Sequence, residues 1–274
     1  MVDFQQKSNY SIDDLIDIVR LLRSEGGCPW DREQTHESIK SDFIEETYEA
    51  IEAIDLNDTA LLREELGDVL LQVVFHCRIE EETDSFRFDD VCDEVCKKLI
   101  IRHPHVFGDV SADTTDQVLK NWDAIKMKTK GQETYTDTLN SVAKSLPALM
   151  RAQKVGKRAM RAGMDFRCAQ DAIDCISNEK AELDAAVASG NMQNIEEELG
   201  DLLFSCVNAA RHLGVDAELA LKASTEKFIK RFSITEELTK AEDLDMKELP
   251  IEELDLYWNK AKSIINNTEE NKND

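Results

Sequence analysis

Proline, glycine and aromatic residues are scarce in this chain. Four Pro and ten Gly in 274 residues leave little punctuation for a many-turned sheet. Glu, Leu, Ala and Lys are plentiful instead, which points to helices. Neither GxxxxGK followed by Ser or Thr nor GxGxxG occurs, so both glycine-rich phosphate cradles are excluded. Seven cysteines are scattered without a CxxC, and the odd count fits a reducing, cytoplasmic setting. No apolar run approaches membrane-spanning length, and the opening MVDFQQKSNY is not built like a signal peptide. Positive charge is the minority, with 33 Lys and Arg against 57 Asp and Glu and a net charge of −24. That balance argues against nonspecific nucleic-acid or anionic-membrane partners. A phosphate ligand stays open, because bound cations reverse the local sign.

What is present is a repeated set of carboxylates. Glu46, Glu49, Glu65 and Asp68 recur as Glu179, Glu182, Glu198 and Asp201, all at an offset of 133. Each set reads ExxE and then ExxD, with Leu-Gly before each Asp. One such match is cheap in an acidic chain, but four at a single offset mark a duplication. Each duplicated unit, of roughly 130 residues, is large enough for a modest core.

The surrounding residues place each set on a helical hairpin. Residues 36–56 and 59–80 carry helical apolar patterns, joined at Leu56-Asn57-Asp58. In a hairpin, residues whose numbers share one sum lie at one height. Glu46 with Asp68 and Glu49 with Glu65 both sum to 114, centred on Asn57. The second set sums to 380, centred on Gly190. Each helix offers its pair at i, i+3, on one face. Four facing carboxylates repel and shift one another's pKa unless a hard cation sits between them. All-oxygen donors favour Mg²⁺ or Mn²⁺, or Ca²⁺ in a looser cage. A ferritin-like di-iron centre needs Glu-x-x-His, which neither motif supplies.

A second layer repeats after each hairpin. Lys98 and Arg102 match Lys227 and Arg231, and Trp122 and Lys126 match Trp258 and Lys262. Each pair has i, i+4 spacing, suited to holding phosphate oxygens and stacking a base. Amphipathic helices with packed Trp and snorkelling Lys are the bland alternative. Trp30, in Gly27-Cys28-Pro29-Trp30-Asp31, reads as a core anchor. Arg151, Lys154, Lys157, Arg158 and Arg161 read as a solvated basic face. His103-Pro104-His105 breaks a helix. The expected organisation is a first repeat over 1–130, a linker over 131–141, a second repeat over 142–265 and a disordered tail over 266–274.

GCPWD, EExxE at Glu45–Glu49, ELGD at Glu65–Asp68, RHPHVF at Arg102–Phe107, SLPALMRAQK at Ser145–Lys154 and EELGDLLF at Glu197–Phe204 appear in order. Together they resemble the MazG nucleoside triphosphate pyrophosphohydrolases in their two-repeat form. The resemblance implies an all-α fold of tandem helical-bundle repeats and a homodimer. It also implies Mg²⁺-dependent hydrolysis of canonical and aberrant nucleoside triphosphates to monophosphate and pyrophosphate, as nucleotide-pool housekeeping. On it, the two carboxylate sets would ligate metal, and Lys98, Arg102, Trp122, Lys126, Lys227, Arg231, Trp258 and Lys262 would contact nucleotide. Glu45, Glu46, Glu49, Glu179 and Glu182 are the candidate catalytic residues. The paired glutamates of the first repeat become Asn178-Glu179 in the second; an amide cannot act as a general base but can orient a water, so which repeat turns over stays open. A nucleotide sensor that binds without turnover is the alternative.

Overall fold

The computed structural model describes residues 4–129 and 131–270, without the side chains of residues 116, 120, 123, 128 and 267–270. All regular structure among the described residues is helical. Two compact units meet in sequence between Lys126 and Met127. Unit 1 holds α1 (Ile12–Leu22), α2 (Pro29–Glu33), α3 (Lys40–Asp55), α4 (Thr59–Glu81), α5 (Phe88–Arg102), α6 (Pro104–Phe107) and most of α7 (Thr115–Thr129). Unit 2 holds α8 (Tyr135–Asn140), α9 (Ala148–Arg161), α10 (Ala169–Ser189), α11 (Met192–His212), α12 (Ala217–Ala241) and α13 (Ile251–Glu270).

In unit 1 the α3–α4 hairpin is the frame, and α1 packs across α4. Ser11 caps α1 in a reciprocal box with Asp14, satisfying donors the first turn cannot pair. Val19, Ile39, Val74 and Phe75 form the buried core, with Leu15, Leu71 and Phe88 against it. Burying each large side chain contributes about 1.5–3 kcal/mol. The Arg23 guanidinium lies 5.2 Å from the Phe75 ring centre and donates two 2.8 Å hydrogen bonds to Glu82.

α3 begins later than the apolar pattern of 36–56 indicates. Thr35 and Ser38 exchange backbone-to-hydroxyl hydrogen bonds of 2.9 and 3.2 Å, which hold a turn ahead of the helix. Trp30 is 62% exposed and is no core anchor. Its turn is held from within by Arg23, which donates to the backbone oxygens of Asp31 and Gln34.

In unit 2 the α10–α11 hairpin is the most closely packed pair, with α9 laid across α11. Ala172 and Ala186 are buried there, and side chains this small let the helices approach. Gly156 of α9 sits where a Cβ would fall 2.7 Å from Asn208 Oδ1. Asp165 then ties the loop after α9 to Arg211 and His212. α12 and α13 close into a second hairpin, fastened by the Tyr257 hydroxyl, which donates to Glu242 at 2.6 Å.

Two stretches differ from the organisation expected. α8 lies inside the stretch read as linker, started by a Thr134–Asp137 capping box. α13 runs on through Glu270, while residues 271–274 lie outside the described ones.

Candidate metal centres

Each hairpin turns on a left-handed residue, and in both cases it is the residue at the centre of the sums. Asn57 has φ +54° and Gly190 has φ +72°. Asp58 accepts from the Ala60 and Leu61 amides, and Asn191 from the Gln193 amide, so each second helix starts capped. Helix lengths and turn together set the register that places the carboxylates opposite one another.

The outcome is two triads. Glu46, Glu49 and Glu65 offer oxygens all within 4.8 Å of one another, and so do Glu179, Glu182 and Glu198. Asp68 and Asp201 stand outside these tight groups but close enough to act on them. Burial and then the Asp68 charge push the Glu46 carboxyl above the usual carboxylate range. Burial and then Glu49 push Glu65 up, and burial and then Glu182 push Glu198 up. Glu45 adds to the field on Glu46, as Glu197 does on Glu198. Oxygens on one hard cation at about 2.0–2.6 Å lie no more than about 5 Å apart, so the donor spacing fits such an ion. All-carboxylate donors select a hard divalent cation over a soft one.

The second triad has neighbours the motif does not announce. Cys175 Sγ lies 3.5 Å from Glu179 Oε1 and 3.5 Å from Ser205 Oγ. Their numbers carry the signal, since 175 and 205 also sum to 380.

The basic layer gathers around its tryptophans. Arg102 lies 5.2 Å from the Trp122 ring centre, with His103 edge-on at 4.9 Å. Trp258 packs on Phe228 at 5.0 Å, and both belong to the α12–α13 hairpin that carries Lys227 and Arg231. Arg231 Nε is buried without a hydrogen-bond partner, while Lys98 and Lys227 are exposed. Lys126 is half-buried, and Lys262 donates to Asn259 at 3.5 Å. α5 meets the first hairpin chiefly through α4, and α12 meets the second chiefly through α11. His103 and His105 pack ring to ring, and neither joins a cluster of metal-ligand spacing among the described residues.

The profile of the MazG nucleotide pyrophosphohydrolase domain matches residues 34–107 and 169–233. Those segments hold both triads, Lys98, Arg102, Lys227 and Arg231, and leave out both tryptophans. The nucleoside triphosphate pyrophosphohydrolase/pyrophosphatase MazG of Thermotoga maritima is 45% identical over 91% of this chain and 95% of its own length. The nucleoside triphosphate pyrophosphohydrolase of Escherichia coli K12 is 42% identical over 92% of this chain and 97% of its own. The uncharacterized protein YabN of Bacillus subtilis is 43% identical over 89% of this chain but only 50% of its own.

Proposed function

The chain belongs to the MazG nucleotide pyrophosphohydrolase family, and on that premise we propose that it hydrolyses nucleoside triphosphates between the α and β phosphates. The products are a nucleoside monophosphate and pyrophosphate, and the substrates include canonical and aberrant nucleotides. Mg²⁺ is the cofactor and Mn²⁺ its substitute. The observation that carries the reading is the intact carboxylate triad on both hairpins.

Glu46, Glu49 and Glu65, with Asp68 behind them, would hold the cation in unit 1, as Glu179, Glu182, Glu198 and Asp201 would in unit 2. A cation held there supplies Lewis-acid charge at the phosphoanhydride and acidifies water. Glu45 stands at the edge of the first triad as a base for the attacking water. Lys98 and Arg102, or Lys227 and Arg231, neutralise the leaving pyrophosphate, and Trp122 or Trp258 meets the base. Asn178 favours a different reading for unit 2 alone, namely nucleotide binding without turnover.

Open apolar faces support a homodimer. Ile44 and Tyr48 on α3, and Leu66 and Leu70 on α4, are exposed beside the triad at i, i+4 spacing. A second copy laying its hairpin there would complete a four-helix core and bring basic side chains to the carboxylates.

The test is product analysis over a panel of nucleoside triphosphates with Mg²⁺. Pyrophosphate is expected, and orthophosphate would contradict the reading. Glu49→Gln combined with Glu182→Gln should lower the rate on the order of 100-fold or more. Wild-type turnover in that double variant would remove the triads from the chemistry.

A further inference from the structure

In each unit the helix ahead of the hairpin packs on the hairpin's second helix, α1 on α4 and α9 on α11. Each of these contacts leaves a cavity, and the two differ in charge. The one beside α1, about 230 Å³, contains cations that the chain has already neutralised. Arg20 pairs with Asp17 and Glu81, Arg78 with Glu81 and Glu82, and Arg87 with Glu81. The one beside α9, about 340 Å³, has no carboxylate in its wall. Its charged residues are Lys144 and Arg151, and the rest, Phe204 among them, is apolar.

Neither cation has an ion-pair partner among the described residues, in a chain of net charge −24. Arg151 Nε is buried without a hydrogen-bond partner. Ala148, Arg151, Ala152 and Val155 follow i, i+3, i+4, i+7 spacing, so one stripe of α9 forms the wall. The two alanines leave the room. The positive end of α9 is already met by Glu218, which accepts from the Met150 amide at 3.2 Å. Phe204 follows Asp201 by three residues on α11, which puts the cavity one helical turn from the second carboxylate group.

We propose that this cavity binds a nucleoside monophosphate, with the phosphate on Lys144 and Arg151 and the base against Phe204. Two cations without an ion-pair partner favour an anion, and the aromatic wall favours a flat apolar part. The volume falls at the small end of ligand pockets, roughly 300–1,000 Å³, which suits a monophosphate. Choosing a nucleotide over another flat-ended anion rests on the proposed function. The pocket itself does not.

The test is calorimetric titration of the full chain with AMP in EDTA, where the carboxylate triads take no part. AMP should bind saturably. Arg151→Gln should weaken it about tenfold or more, Lys144→Gln less, and Arg151→Lys should recover part of the loss. Phe204→Leu should weaken AMP while leaving inorganic pyrophosphate unchanged. Melting curves of each variant should match the wild type, which separates lost binding from lost fold. No AMP binding in EDTA overturns the proposal. So does equal affinity in Arg151→Gln, or binding abolished by Arg231→Gln instead. Pyrophosphate release with Mg²⁺ in the same samples judges the activity separately: hydrolysis without AMP binding refutes the pocket alone.

Discussion

The two carboxylate hairpins share one motif and hold it differently. In the first, Glu65 is buried between the helices, and Glu46 and Glu65 are both pushed upward. In the second, Glu198 is half-buried, Asp201 is exposed, and Cys175 touches Glu179 while bonded in turn to Ser205. The first also keeps Glu45, where the second has Asn178. One carboxylate pattern has thus been placed in a tighter, more charged setting and in a looser one. A shared motif specifies the carboxylates; the packing around it sets how strongly they resist one another's charge.

The largest effect should come from the neighbour that differs. In a Glu182→Gln background, Glu45→Gln should cut the remaining pyrophosphate release about 100-fold, the usual scale for a lost general base. Asn178→Glu should raise turnover in a Glu49→Gln background. If both rates stay put, the leading glutamate has no chemical role and the hairpins are equal after all.

A second contrast lies in how each unit anchors its outer helix. Unit 1 uses Arg23 on Glu82, and unit 2 reverses the polarity with Asp165 on Arg211 and His212. The Arg211 guanidinium, ahead of the other contacts, holds the Asp165 carboxyl down to about 2. At about 1.4 kcal/mol per pKa unit, and with part of the side chain in solvent, Asp165→Asn should cost roughly 1–2 kcal/mol in denaturant unfolding. The sign follows from a depressed folded pKa. This stability is present above the unfolded carboxyl value of 3.8 and is lost as pH falls through about 2. Equal acid sensitivity in the Asn variant would show that the anchor is inert.

The smallest effect concerns the triads without metal. Glu46, Glu65 and Glu198 have raised folded pKa values, so the metal-free fold binds extra protons and loses stability as pH rises above the usual carboxylate range. Mg²⁺ should reverse that loss. Glu65→Gln should raise the metal-free melting temperature by a few degrees and shrink the Mg²⁺ response, whereas Glu198→Gln should do both to a lesser extent. A larger gain at Glu198 would invert the comparison.

Much of this was legible beforehand. The constant sums of 114 and 380 predict which residues face each other, and the left-handed turns at Asn57 and Gly190 fall where the sums place them. The same arithmetic extends to Cys175 and Ser205. The later start of α3 was not legible, because hydroxyl-to-backbone bonds at Thr35 and Ser38 outweigh an apolar period. Nor was the exposure of Trp30, since an arginine fills the inner side of its turn. Nor was the difference between Arg151, beside a cavity, and Lys154 or Lys157 in solvent on the same helix.

The sequence by itself determined the helical class, the duplication and which carboxylates face one another across each hairpin, because helical spacing and hairpin register follow from residue order alone. Only the tertiary structure decided which carboxylates draw within 4.8 Å, which of them is buried, and which cations the chain leaves unanswered. Burial and electrostatics sum over neighbours from several helices, and no single stretch of sequence carries that sum.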